Sequence, residues 1–167
     1  MFTELERSVF PFSVGKAKFY LRFDNKALLE TEKKGYDFFE IAAQGFTAKA
    51  AKYFLECGLR CWAENCDVKD IEIVASKITV ALAADKLSEI LIQAVLLALP
   101  KPILGAKSDK KEKNDFTRIF YYFCDIMGKS EKLFWELTLR EVFERWDSYA
   151  IFHGYKKAPI EVRRYDD

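Results

Sequence analysis

The stretch Ser130–Val142 reads SEKLFWELTLREV, and it predicts two helix starts close together in the chain. Ser130 can cap a short helix, because a serine oxygen accepts hydrogen bonds from the free backbone N–H groups of a first helical turn. Thr138 can cap a second helix in the same way, and Glu141 follows it at the spacing of a capping box. The stretch therefore predicts a short helix that leads directly into a longer one.

The residues on both sides of this stretch complete a small C-terminal module. Phe116–Met127 carries apolar side chains at helical spacing, and Gly128 is expected to end that helix. The last helix is expected to run from Thr138 to Gly154. One seam of this helix consists of Val142, Phe143, Trp146, Tyr149, Ala150 and His153. Residues 116–167 are thus predicted to form a three-helix module with an irregular tail.

The first part of the chain predicts a β-hairpin followed by helices. Apolar and polar side chains alternate through Val9–Phe23, with Gly15 and Lys16 placed where a turn can form. The stretch Asp67–Ser76 favours a short helix, although the isoleucines in and after it are also compatible with a strand. Further helices are expected from helical spacing and caps at Lys26–Lys34, Tyr36–Ala43, Thr47 to about Glu64, and Ala84–Leu99.

Residues 101–115 separate these two parts and read KPILGAKSDKKEKND. Proline, glycine and charges of both signs are typical of a solvated linker. The sequence therefore predicts an N-terminal domain at residues 1–100, a charged linker at 101–115 and a C-terminal module at 116–167. The predicted fold class is mainly α (α+β), a helical domain with a small N-terminal β-hairpin followed by a small three-helix module.

Composition argues against two classes of partner. The formal net charge is +1, so nothing in the overall charge favours wrapping nucleic acid. The longest apolar run, Ile90–Leu99, is interrupted by Gln93 and is shorter than the roughly 20 residues that a membrane-spanning helix needs. We therefore expect no nucleic-acid partner and no membrane insertion.

The cysteines and the single histidine are the candidates for metal binding or catalysis. Cys57, Cys61 and Cys66 lie close together, but a structural zinc site usually has four ligands in paired short spacings. Cys124 and His153 could serve as further ligands, but both are distant from these cysteines in the sequence. Reduced thiols that pack as small apolar side chains are the simpler interpretation. We expect no metal, no cofactor and no catalytic residue.

The opening stretch resembles the C-terminal module of tail assembly chaperones of long-tailed bacteriophages and gene transfer agents. Their typical line is S-P-x-x-F-W-x-L-T-P-R-E-L. Glu131 and Leu139 stand here where the family has proline, at first helical positions that favour proline without requiring it. A second segment, Leu21–Glu30, reads LRFDNKALLE and is similar to the L-R-F-x-x-x-A-L-x-x-L-E line near the start of these proteins.

The resemblance implies a non-enzymatic chaperone in the cytoplasm of a host bacterium, absent from the mature virion. Its implied partners are the tail tape measure protein and the tail tube protein. The candidate partner-binding residues are Phe134, Trp135, Leu137, Thr138, Arg140 and Glu141. The same six residues also fit a structural role as core, helix cap and surface charge.

Other functions stay open at this point. The chain could be a structural tail or neck component that remains in the virion, or a generic helical interaction module. The C-terminal module carries more aromatic side chains than about 50 residues can bury alone. It is therefore expected to pack on the N-terminal domain, to self-associate, or to present aromatic rings to a partner.

Overall fold

The computed structural model describes residues 8–37, 41, 45–100 and 116–157. These residues are mainly helical and begin with a two-stranded β-hairpin, so the predicted fold class is confirmed. The predicted linker at 101–115 and most of the predicted helix Tyr36–Ala43 lie outside the described residues.

The hairpin has the predicted position and turn. Strand β1 (Phe10–Val14) pairs antiparallel with β2 (Ala17–Leu21). Gly15 occupies the turn with a φ of +60°, a backbone conformation that glycine adopts without steric cost. Phe12 lies opposite Phe19, and their rings stack with centroids 5.4 Å apart.

Within the described residues up to 100, four helices follow the hairpin, and two of them begin at a capping side chain. They are α1 (Asn25–Lys33), α2 (Ala48–Asn65), α3 (Ile71–Ala81) and α4 (Ala84–Ala98). Asp24 Oδ1 accepts from the backbone N–H of Ala27 at 2.8 Å, and Thr47 Oγ1 accepts from that of Ala50 at 3.3 Å. Each carboxylate or hydroxyl satisfies a first-turn donor that has no partner inside the helix.

Helix α3 corrects the prediction for this part of the chain. The helix begins at Ile71 and ends at Ala81, later than the predicted Asp67–Ser76, and the strand alternative is wrong. Ile71, Val74, Ala75 and Ile78 pack against the core at helical spacing. Alternation with period two would instead have buried Ile73, which is exposed.

The largest apolar cluster is built around α2. Phe54, Leu55 and Leu59 on this helix have no exposed surface. The end of β2 packs closely on the helix at Gly58, where a Cβ atom would lie only 2.9 Å from the Phe23 ring. The backbone N–H of Arg22 donates to Gly58 O at 2.9 Å, which fixes the chain as it leaves the hairpin.

The C-terminal module contains α5 (Phe116–Tyr121), α6 (Glu131–Glu136) and α7 (Leu139–Phe152). Tyr122–Ile126 continues α5 as a π-helical turn, so the predicted helix Phe116–Met127 is not α-helical throughout. The caps at Ser130 and Thr138 form as predicted. Of the predicted apolar seam, Val142 and Ala150 are buried, whereas Phe143 and His153 are exposed.

Residues 116–157 pack against residues 8–100. Leu139, at the start of α7, is buried in the apolar cluster of the N-terminal part. Phe116 and Ile119 contact both that cluster and a smaller one formed by Phe123, Phe134, Leu137 and Val142. The first turn of α7 therefore lies at the contact between the two parts of the chain.

Candidate functional site

The contact between the two parts contains an ion pair between the buried Arg22 and the largely buried Glu141. Arg22 Nη2 lies 2.8 Å from Glu141 Oε2, and Arg22 Nη1 lies 3.1 Å from Glu141 Oε1. Two parallel charge-assisted hydrogen bonds of this kind are stronger and more directional than a single contact. Leu21 and Phe23 face the core, so the alternation of the extended chain turns Arg22 toward α6 and α7.

Glu141 has two roles at once. Its carboxylate accepts from the Thr138 backbone N–H at 2.8 Å, which completes the capping box, and also from the Ser8 backbone N–H at 3.0 Å. Burial has the largest influence on the Glu141 pKa and would raise it. The hydrogen bonds from Arg22, Ser8 and Thr138 together outweigh burial, so the pKa is lowered. Glu141 is therefore ionised at neutral pH opposite a permanent cation.

Side chains of the N-terminal part cap the end of α6. Arg22 Nη2 donates to Glu136 O at 2.9 Å, and the Asn25 side-chain Nδ2 donates to Phe134 O at 2.8 Å. The Asn25 backbone N–H donates to Leu137 O at 2.8 Å. Carbonyls at a helix C-terminus lack regular partners within the helix; of these three, Phe134 O also accepts from the Leu137 backbone N–H at 3.4 Å. Asn25 Oδ1 accepts no hydrogen bond within the described part of the chain.

A side chain of the C-terminal module caps α4 in return. Arg140 Nε donates to Leu99 O at 2.8 Å, and Arg140 Nη2 donates to Leu96 O at 2.6 Å. A cation at a helix C-terminus also interacts favourably with the helix dipole. Each part thus caps a helix of the other. We call this set of residues the junction: Arg22, Asn25, Thr138, Arg140 and Glu141.

The six residues predicted for partner binding lie together around the junction, and their contacts are within the chain. Phe134, Leu137 and Thr138 are buried. Trp135 is half-buried, with its ring against Phe134 and its Nε1–H donating to Glu131 Oε1 at 3.2 Å. Contact of these residues with another protein stays a prediction.

Sequence reasoning missed Arg22 and Asn25 as site residues. Both lie in the second segment that carries the resemblance, where Arg22 matches the L-R-F line and Asn25 stands at a position that the line leaves undefined. No local sequence pattern could indicate which residue Arg22 contacts, because Arg22 and Glu141 are separated by 119 positions.

An open groove of about 850 Å³ lies beside the junction. It is lined by a stripe of side chains along α7 and by Met127, Lys129 and Leu133. Ser8, Arg22, Glu136 and Leu137 also line it. The α7 stripe consists of Glu141, Glu144, Arg145, Ser148, Tyr149 and Phe152.

The cysteines have different environments. Cys57 is buried, Cys61 is half-buried and Cys66 is exposed. Burial raises the pKa of the Cys57 thiol to about 11, so this group is a neutral thiol at physiological pH. No group of three or more metal-ligating side chains occurs among the described residues. Within the same ranges, no helix is long and apolar enough to cross a membrane.

Comparisons with protein-family models, with curated protein sequences and with solved structures found no match. Function is therefore inferred from contacts within this chain and from the two segments that resemble tail assembly chaperones.

Proposed function

We propose that this chain is a tail assembly chaperone of a long-tailed bacteriophage or gene transfer agent. In this function it binds the tape measure protein and helps to recruit tail tube subunits in the host cytoplasm, and it does not remain in the mature virion. It carries out no chemical reaction.

One observation supports this proposal most strongly. The two segments that carry the resemblance contact each other through the Arg22–Glu141 ion pair. Two short motifs far apart in a chain are weak signals when each is taken alone. Their contact supports the interpretation that the arginine of the first motif and the glutamate of the second belong to one structural unit.

The surface is compatible with a protein-binding role. Several large apolar side chains are exposed, among them Tyr121, Phe152 and Tyr155 in the C-terminal module. Exposed aromatic residues are favoured anchors in protein interfaces. The junction fixes the C-terminal module against the N-terminal part, so these side chains are presented in a defined arrangement rather than on independent modules.

Co-expression with the tape measure protein of the same gene cluster tests the proposal. The chaperone function predicts that the two proteins co-purify and that the tape measure protein becomes more soluble. Failure to co-purify at low, intermediate and high salt would contradict the proposal. Mass spectrometry of purified virions separates the alternatives, because a structural tail or neck component would be found in the particle and a chaperone would not.

A further inference from the structure

The α7 side of the groove has the spacing of a helix-packing surface. Relative to Glu141, the stripe residues stand at positions i, i+3, i+4, i+7, i+8 and i+11. Residues at these spacings share one face of a helix and normally pack against a neighbouring helix. Here the face opens to solvent at Ser148 and at Phe152, whose side chain is 85% exposed. The stripe is about 16 Å long at 1.5 Å per residue, which is three helical turns.

The groove changes in character from one end to the other. Near the junction it carries Glu144 and Arg145, and neither forms an ion pair with any described residue. Toward the end of α7 the groove is lined by Phe152 and by Tyr149, whose Oη donates to Ile126 O, next to Met127, at 3.3 Å. Methionine and aromatic side chains in an open groove are typical of sites that accept the apolar face of a helix.

We propose that this groove binds a three-turn amphipathic helix of a partner protein. The helix places apolar side chains against Met127, Tyr149 and Phe152. It places an acidic side chain near Arg145 and a basic one near Glu144. Identification of the partner as the tape measure protein rests on the proposed function.

A second copy of this chain fits the groove less well. Antiparallel pairing of two α7 stripes would place the apolar end at Phe152 against the charged end at Glu144 and Arg145. Such pairing would bury charges against aromatic rings, which is unfavourable.

The groove requires both parts of the chain. Ser8 and Arg22 line it together with Glu141, so the site is complete only when the two parts are in contact at the junction. Binding in the groove is consequently linked to the junction, since a ligand that binds only the closed form stabilises that form.

Two variants with the same change in charge test the groove. Phe152→Glu places a carboxylate at its apolar end. Val80→Glu places one on α3, outside the groove, at a side chain that is 87% exposed. Each variant of the full chain is co-expressed with the tape measure protein, and the amount of co-purified protein is compared with wild type. We expect Phe152→Glu to weaken binding about tenfold or more, the usual range for an aromatic anchor, and Val80→Glu to change it less than about twofold.

A photo-crosslinking amino acid at Ser148 identifies what lies in the groove. Crosslinks to one helical segment of the tape measure protein would support the proposal. Crosslinks confined to this chain, from the same molecule or from a second copy, would overturn it.

The outcomes also separate the groove from the proposed function. If wild type binds the tape measure protein and the two variants behave alike, the groove proposal is wrong while the chaperone function stands. If wild type does not bind at all, the proposed function fails, and the assignment of this occupant fails with it.

Discussion

The N-terminal and C-terminal parts of the chain bury apolar surface to very different extents. Residues 8–100 contribute side chains from the hairpin and from α1, α2, α3 and α4 to one large cluster around α2. Residues 116–157 have a cluster with only four buried members: Phe123, Phe134, Leu137 and Val142. A segment of that size cannot offset the conformational entropy of its own folding. The C-terminal module therefore depends on Leu139 in the larger core and on the hydrogen bonds of the junction.

The largest expected effects come from one truncation in each core. Phe54→Ala and Phe134→Ala each remove a fully buried ring, and each should lower the free energy of unfolding by about 3–5 kcal/mol. The two variants should lose hydrogen-exchange protection in different parts of the chain. Phe54→Ala should reduce hydrogen-exchange protection throughout the described chain, whereas Phe134→Ala should reduce it mainly in residues 116–157. Equal loss of protection in α2 and α7 for Phe134→Ala would mean that the two parts unfold as one unit.

A smaller effect is expected at Arg140. Arg140→Ala removes two hydrogen bonds to the end of α4 and should lower the free energy of unfolding by about 1–2 kcal/mol, since the side chain is half-buried. Arg140→Lys should recover part of this loss, because an ammonium keeps the charge but lacks the planar fork of donors. Lys132→Ala, which breaks an exposed pair with Glu136, is the control and should change stability by less than about 0.5 kcal/mol in urea unfolding. An Arg140→Ala variant as stable as this control would exclude a role for Arg140 in holding the module.

Much of the fold could be predicted because its signals are local. The caps at Thr47, Ser130 and Thr138 depend on residues within one helical turn, and all three form as expected. The bounds of α3 could not be predicted, because its apolar residues fit both a helix and a strand until the core selects one face. The π-helical turn at Tyr122–Ile126 has no sequence signal of comparable strength.

The site was predictable only in part. The spacing of Thr138 and Glu141 predicted the capping box, but the second role of Glu141 depends on Arg22, which lies in a distant segment. The structural role expected for Arg140 was a surface charge, and the side chain instead donates to backbone carbonyls of α4. The groove combines side chains from several elements, so no single stretch of sequence could indicate it.

The central claim is that the buried Arg22–Glu141 pair holds the C-terminal module on the N-terminal part. Hydrogen exchange of Arg22→Met tests it most directly, with Arg60→Met as the matched control for the more exposed pair between Arg60 and Glu30. Breaking a buried pair leaves an uncompensated charge and costs about 3–5 kcal/mol, whereas the half-buried pair between Arg60 and Glu30 should contribute only about 1 kcal/mol. We predict that Arg22→Met loses protection in residues 116–157 while α2 and α4 keep theirs, and that Arg60→Met exchanges like wild type. Unchanged protection of α6 and α7 in Arg22→Met would contradict the claim.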